Sequence, residues 1–222
     1  MKKILLFVLT ITCLLNGFSQ KLSKSEGNIK SGLRLGLVGS QISGDDLAGY
    51  HKLGAYAGLF ANIPLSQSHK WHFQMELNFI MKGSSTQLIA NADGTLPNYY
   101  VLTMLYTETP FLFQYNFGFY KSLKGNVYDF DFEFGPTLNF LFYSHERNQF
   151  NDIRRLSEDQ QFNIFDIGII VGLKCSISDK WDASFRYGTS VYPVRIPTMV
   201  YNRLVKKQFN DHIAFSLCYH FN

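Results

Sequence analysis

The chain has 222 residues, a formal net charge of +4, and a composition that is 46% hydrophobic, 16% aromatic and 17% charged. A mean hydropathy of -0.07 excludes a membrane protein built from apolar helices, and beyond the leader no segment approaches the roughly 18 consecutive apolar residues that a spanning helix needs. Lysine and arginine never run longer than two in a row, so the concentrated basic face of a nucleic-acid binder is missing from the pattern.

The N-terminus reads as a secretory signal peptide over residues 1–19. Lys2 and Lys3 form a positive start, Ile4 to Leu15 an apolar run, and Gly17-Phe18-Ser19 places small residues before a cut ahead of Gln20. Cys13 does not suit lipoprotein acylation, because Thr10-Ile11-Thr12 lacks the leucine and the small residue such a site uses. Residues 20–222 are then expected to form one domain, with Cys175 and Cys218 as its two cysteines and no disulfide framework.

Beyond residue 31 the dominant signal is alternation with a period of two, which sorts side chains onto the two faces of a strand and would scatter them around a helix. In chain order, Leu33, Leu35 and Leu37 oppose Arg34 and Gly36; Leu53 to Ile63 alternates against Gly54, Tyr56, Gly58 and Asn62. Trp71, Phe73, Met75, Leu77, Phe79 and Met81 oppose His72, Gln74, Glu76, Asn78 and Lys82, with Ile80 the one exception. Leu105 to Tyr115 alternates against Tyr106, Glu108 and Gln114, and Phe130, Phe132 and Phe134 against Asp129, Asp131 and Glu133. Phe165 to Leu173 opposes Asp166, Gly168, Gly172 and Lys174; Trp181 to Tyr187 opposes Asp182, Ser184 and Arg186; Ile213 to Phe221 opposes His212, Ser216 and His220. The total is eight strands.

The connections fall roughly at 42–51, 65–69, 83–98, 116–125, 143–160, 178–179 and 189–207. Long polar loops alternate with shorter turns, as in bacterial membrane barrels, whose short turns face the periplasm. Lumen-side glycines, mixed acids and bases on the polar faces, and Trp71, Tyr115, Trp181, Tyr187 and Tyr219 near strand ends all favour an apolar face turned to lipid. The expected fold is an all-β, eight-stranded antiparallel up-and-down transmembrane barrel in the outer membrane. The alternative with the faces reversed is a soluble lipocalin-like periplasmic binder. Pro110 and Pro136 each remove a ladder donor inside a strand and predict a bulge or kink there.

The chain resembles the PorT-like outer-membrane β-barrel family of Gram-negative bacteria of the Bacteroidota type. The resemblance rests on Gly32-Leu33-Arg34-Leu35-Gly36-Leu37, Met75-Glu76-Leu77-Asn78-Phe79 with Lys82-Gly83, and Leu105 to Leu112. It continues through Phe134-Gly135-Pro136, Gly168 to Gly172, Ile177 to Trp181 and Arg186-Tyr187-Gly188. It implies an outer-membrane barrel of mostly unassigned function. The ending Tyr219-His220-Phe221-Asn222 puts phenylalanine one position short of the usual barrel-assembly signal.

Candidate chemistry is sparse. Arg34, Glu76, Glu108, Asp166, Lys174, Asp182 and Arg186 share lumen-facing parity and predict a charge network that fills the interior, since eight strands enclose side chains and not an open channel. His72, His212 and His220 share that parity, but His212 and His220 lie roughly 26 Å apart along one strand, too far for one metal ion. Ser144-His145-Glu146 is placed in an outer loop with no supporting motif, and no phosphate loop, nucleophile elbow or metal-spaced Cys/His set is present. No catalytic residue, cofactor or metal is therefore expected. The outer loops, with Asp152, Arg154, Arg155, Glu158 and Asp159 in one and Arg195, Arg203, Lys206 and Lys207 in another, are the expected seat of function. A non-enzymatic barrel binding a partner, ligand or lipid leads, ahead of a small-solute channel or secretion-system component. Expected partners are outer-membrane lipid, the barrel-assembly machinery during insertion and an unknown protein, with no nucleic acid.

Overall fold

The computed structural model describes residues 29–45, 47, 49–65, 68, 70–86, 99–121, 127–148, 152–153, 162–195, 199–200, 203–204 and 207–221. The expected signal peptide, and most of the charged positions assigned to the outer loops, lie outside these residues. The strands are β1 (Lys30–Ser43), β2 (Lys52–Pro64), β3 (Trp71–Ser85), β4 (Tyr100–Lys121), β5 (Val127–Asn148), β6 (Asp152–Ile153), β7 (Phe165–Ser178), β8 (Trp181–Ser190), β9 (Met199–Val200), β10 (Arg203–Leu204) and β11 (Phe209–His220). Eight of them are long and pair antiparallel in the order β4-β3-β2-β1-β11-β8-β7-β5, and β4 pairs with β5 to close the ring. Each long strand thus lies beside its neighbours in sequence, and the last returns to the first with Gly32 opposite His220 and Ser43 opposite Phe209. β6 pairs antiparallel with the end of β5, and β9 and β10 form a small hairpin between β8 and β11 in the chain.

The barrel is turned inside out relative to a soluble protein. Leu37 and Phe79 are 69% and 59% exposed, whereas Arg34 and Glu76 are 1% and 2% exposed. The same division runs around the ring: Leu35, Leu59, Phe132, Leu173, Phe185 and Phe215 point outward, and Glu133, Asp166, Lys174, Arg186 and Ser216 inward. A continuous apolar exterior of this extent requires hydrocarbon and not water. The soluble lipocalin-like alternative is overturned by this arrangement. Closure leaves no unpaired strand edge within the bilayer.

Both chain ends meet the barrel at the end that carries the short turns, which is the periplasmic end. Aromatic pairs mark its rim: Trp71 lies 4.8 Å from Tyr115, and Trp181 lies 5.0 Å from Tyr219. Tyr187 belongs to the opposite rim, where its hydroxyl donates to Asp211 Oδ1 at 3.5 Å.

Three sequence expectations need correction. First, β4 and β5 are each 22 residues long and run into the expected loops, so residues 116–121 and 143–148 are strand. The reason is a pair of bulges in their ladder, between Leu105 and Tyr106 and between Asn116 and Gly118. The first places Phe142 and Tyr143 outward in succession, which breaks the alternation without ending the strand. Second, the bulges are not at the prolines. Pro110 pairs with Thr137 and Pro136 with Ile169 in unshifted register. The β3–β4 ladder skips the two positions opposite Thr109 and Pro110 and resumes in the same register. Third, Ser144, His145 and Glu146 lie in β5 and not in a loop, so adjacent side chains take opposite faces.

Candidate functional site: the enclosed lumen

The middle of the lumen is crossed by four charged residues from four strands. Arg34 comes from β1, Glu76 from β3, Glu133 from β5 and Arg186 from β8. Arg186 grips both carboxylates with both edges of its guanidinium. Its Nη1 and Nη2 donate to Glu76 at 2.9 and 2.8 Å, and its Nε and Nη2 donate to Glu133 at 2.7 and 3.0 Å. Arg34 Nη2 lies 3.3 Å from Glu76, and its Nη1 donates to Ser184 at 2.7 Å and Ser216 at 3.0 Å. Two positive and two negative charges balance, and amides complete the shell. Gln74 and Asn78 donate to Glu76 at 2.5 and 2.9 Å, and Gln114 donates to Glu133 at 2.6 Å. All four charged residues are buried. Paired and hydrogen-bonded in this way, the charges meet the requirement for enclosure in a low-dielectric site.

Glycines make room for these long side chains. A Cβ at Gly172 would sit 2.8 Å from Arg186 Cγ, and one at Gly188 would sit 2.2 Å from the His212 ring. Small residues on the lumen face are thus a packing need of a narrow barrel.

Towards the periplasm lies a second charged layer. Lys174 Nζ is 2.9 Å from Asp131 and 3.9 Å from Asp182, and it donates to Gln114 at 3.1 Å. His220 Nε2 hydrogen-bonds Asp182 at 2.7 Å. Beyond this layer the lumen opens as a cavity of about 680 Å³.

Towards the outside the lumen changes character. Lys82 pairs with Glu108 at 2.5 Å, and Asp166 accepts from Asn139 at 3.3 Å and Ser190 at 2.8 Å. Around and above them sits an apolar cluster of Val38, Ile42, Ile80, Leu102, Met104, Tyr106 and Leu141. At the rim Arg195 donates to Glu146 at 3.1 Å and lies 4.0 Å from the Phe162 ring centroid, while Tyr100 donates to the same Glu146 at 2.7 Å. Arg195 is therefore buried in a clamp, a correction to its expected place on a solvated basic loop.

The seven expected network residues thus fall into separate layers. Arg34, Glu76 and Arg186 meet at the centre, Lys174 and Asp182 below, and Glu108 above with Lys82. Asp166 takes hydrogen bonds and no ion pair among the described residues. Glu133 and Asp131 were missed as network members although their parity in the Phe130–Phe134 alternation marks them as lumenal. The apolar cluster was missed as well, and Ile80, the one break in the β3 alternation, was its signal. His212 and His220 are buried and His72 is half-buried, and the described residues contain no group of three His, Cys, Asp or Glu side chains placed to hold a metal ion. Cys175 is half-buried on the outer face, Cys218 is buried in the lumen, and both are free thiols.

An enclosed polar interior, a lipid-facing apolar exterior and periplasmic termini define an outer-membrane β-barrel protein. Residues 18–194 match the family described as outer membrane protein beta-barrel domain, and the chain belongs to that family. Among solved structures it is similar to Neisserial surface protein A at 8% identity, covering 87% of this chain and 99% of that one with a TM-score of 0.48. It is similar to Ail, the attachment invasion locus protein of Yersinia pestis solved with the heparin analogue sucrose octasulfate, at 10% identity, 89% and 100% coverage and a TM-score of 0.43. A third is OprG from Pseudomonas aeruginosa, at 10% identity, 87% and 94% coverage and a TM-score of 0.39. No curated protein matches the chain.

Proposed function

We propose that this protein is a non-conducting, non-enzymatic barrel that presents its outer rim and loops to a partner, ligand or lipid. The observation that carries the reading is the filled lumen: Arg34, Glu76, Glu133 and Arg186 close its centre and the apolar cluster closes its outer half. With the interior occupied, contact with other molecules falls to the rim and loops. We further propose a structural role for the lumenal charges, which hold the strands in register, and a PorT-like place within the family. Export through a cleaved leader over residues 1–19, surrounding outer-membrane lipid and delivery by the barrel-assembly machinery complete the proposal.

Planar-bilayer recording of the purified barrel tests the central point. Silence at the voltages that open porins is expected. Steady unitary steps, retained when the protein is repurified, would refute it. For the non-enzymatic part, lipid A mass spectra with and without the gene are expected to coincide, and a gene-dependent acyl or phosphate change would refute that.

A further inference from the structure

After β8 the chain turns inward at the outer mouth of the barrel. Val191 and Tyr192 are exposed, whereas Val194 is fully buried and Arg195 is 9% exposed. This short strap, residues 191–195, is tied down on both sides. Val194 N donates to Gln208 O at 2.8 Å and Gln208 N to Arg195 O at 3.3 Å, which joins it to the chain entering β11. Asn163 N donates to Val194 O at 2.8 Å and Asn163 Nδ2 to Pro193 O at 2.7 Å, which joins it to the chain entering β7. Towards the wall of β4 and β5 the contact is made by the Arg195 side chain. It pairs with Glu146 of β5, which also accepts from Tyr100 of β4, and it covers the Phe162 ring. Phe162 and Tyr100 in turn pack against the apolar cluster that contains Leu102, Met104 and Tyr106.

The closed arrangement leaves polar groups unmet. Arg195 Nε and Gln208 Oε1 are buried without a hydrogen-bond partner among the described residues, in side chains that are 9% and 6% exposed overall. A buried donor or acceptor without a partner destabilises the state that buries it, and water would serve both atoms once the strap lifts. The ion pair, the ring contact and the burial of Val194 act the other way. Opposed terms of this kind on one short segment suit an element with two positions. We infer that residues 191–195 form a lid over the apolar half of the lumen, with Arg195 as its latch on Glu146 and Phe162. Lifted, the lid opens Leu102, Met104 and Tyr106 to the outside, and those walls match a small apolar solute. Arg34, Glu76, Glu133 and Arg186 stay closed beneath, so an open lid gives a blind chamber and no channel. The inference can therefore fail while the barrel remains non-conducting, and the reverse.

Thiol labelling on intact cells, with an impermeant maleimide added from outside, tests this inference. In a background with Cys175 and Cys218 changed to serine, Met104→Cys places a thiol on the fully buried chamber wall. Slow labelling is expected with the latch intact, and labelling about tenfold faster when Arg195→Ala is added, because the rate follows the population of the open form. Lys207→Cys, exposed outside the lid, serves as the reference for full access. Cys218 retained as the sole thiol reports on the lumen below and is expected to stay unlabelled with or without Arg195→Ala. Heat-modified gel mobility verifies that each variant is folded. Three results would each overturn the inference: Met104→Cys labelling changed less than about twofold by Arg195→Ala, labelling of Cys218 in the Arg195→Ala barrel, which would mean general loosening, or Met104→Cys labelled as fast as Lys207→Cys with the latch intact.

Discussion

Replacing Arg186 by methionine probes the central cluster most directly. The arginine makes four hydrogen bonds of 2.7 to 3.0 Å to two buried carboxylates. Charge-assisted bonds contribute roughly 1.5–3 kcal/mol each, but the desolvation of three charged groups cancels much of that sum. The net loss on removing one partner of a buried ionic group is about 3–5 kcal/mol, because the remaining charges are left unpaired. In the variant, Glu76 and Glu133 would share the enclosed centre with Arg34 alone. Adding Glu133→Gln restores neutrality, so the double variant should be more stable than Arg186→Met by about 2 kcal/mol, a coupling typical of contacting residues. Urea titration in lipid vesicles, followed by fluorescence, measures both. The chain has two tryptophans, Trp71 and Trp181, and both lie at the periplasmic rim and report on it. A single variant within about 1 kcal/mol of the native barrel, or a double variant less stable than the single, would refute the reasoning.

Other consequences follow from packing, lipid exposure and topology. Gly188→Ala drives a Cβ to 2.2 Å from the His212 ring and should cost about 1–3 kcal/mol, with His212→Ala restoring most of it in the same urea assay. Absence of rescue would mean that the strain lies elsewhere. Leu173→Arg puts a charge on the lipid face near mid-strand and should cost about 2–4 kcal/mol in vesicles; a neutral outcome would contradict burial of that face in hydrocarbon. In a background with Cys175 and Cys218 changed to serine, Lys207→Cys should react with an impermeant maleimide on intact cells. Asp179→Cys should react only after the outer membrane is permeabilised, and the opposite pattern would invert the topology.

The faces of the strands were legible because parity alone decides them, and Arg34, Glu76 and Arg186 were found that way. Height and position around the barrel were not legible. Those depend on how far neighbouring strands are staggered, which period-two alternation does not encode. Hence Glu108 reads as a member of one network with Arg186 when it forms a separate pair with Lys82. Strand ends were hidden for a related reason. A bulge at Phe142 shifts parity by one, so the polar stretch from Ser144 onward looks like loop although its ladder to β4 continues to Asn148 opposite Tyr100. The burial of Arg195 was invisible because its partners, Glu146 and Phe162, are distant in sequence and adjacent only once the barrel closes.

Closure itself is where the charge arrangement has its largest effect. The seam between β1 and β11 joins the two ends of the chain, and backbone pairing alone would tolerate several registers there. A slip of one residue would turn Arg34 to the lipid and Leu33 or Leu35 to the lumen, at roughly 2–4 kcal/mol for the arginine alone near the bilayer midplane. A slip of two residues keeps the faces correct, so apolar patterning cannot oppose it. It would, however, put Gly32 or Gly36 where Arg34 stands, since glycine occupies the lumen-facing position on either side of the arginine. Glu76 would lose its contact with Arg34, and Ser184 and Ser216 would lose the donor they share across the seam. One arginine between two glycines therefore distinguishes the native register from its nearest same-face competitor, a distinction that greasy and polar alternation cannot make.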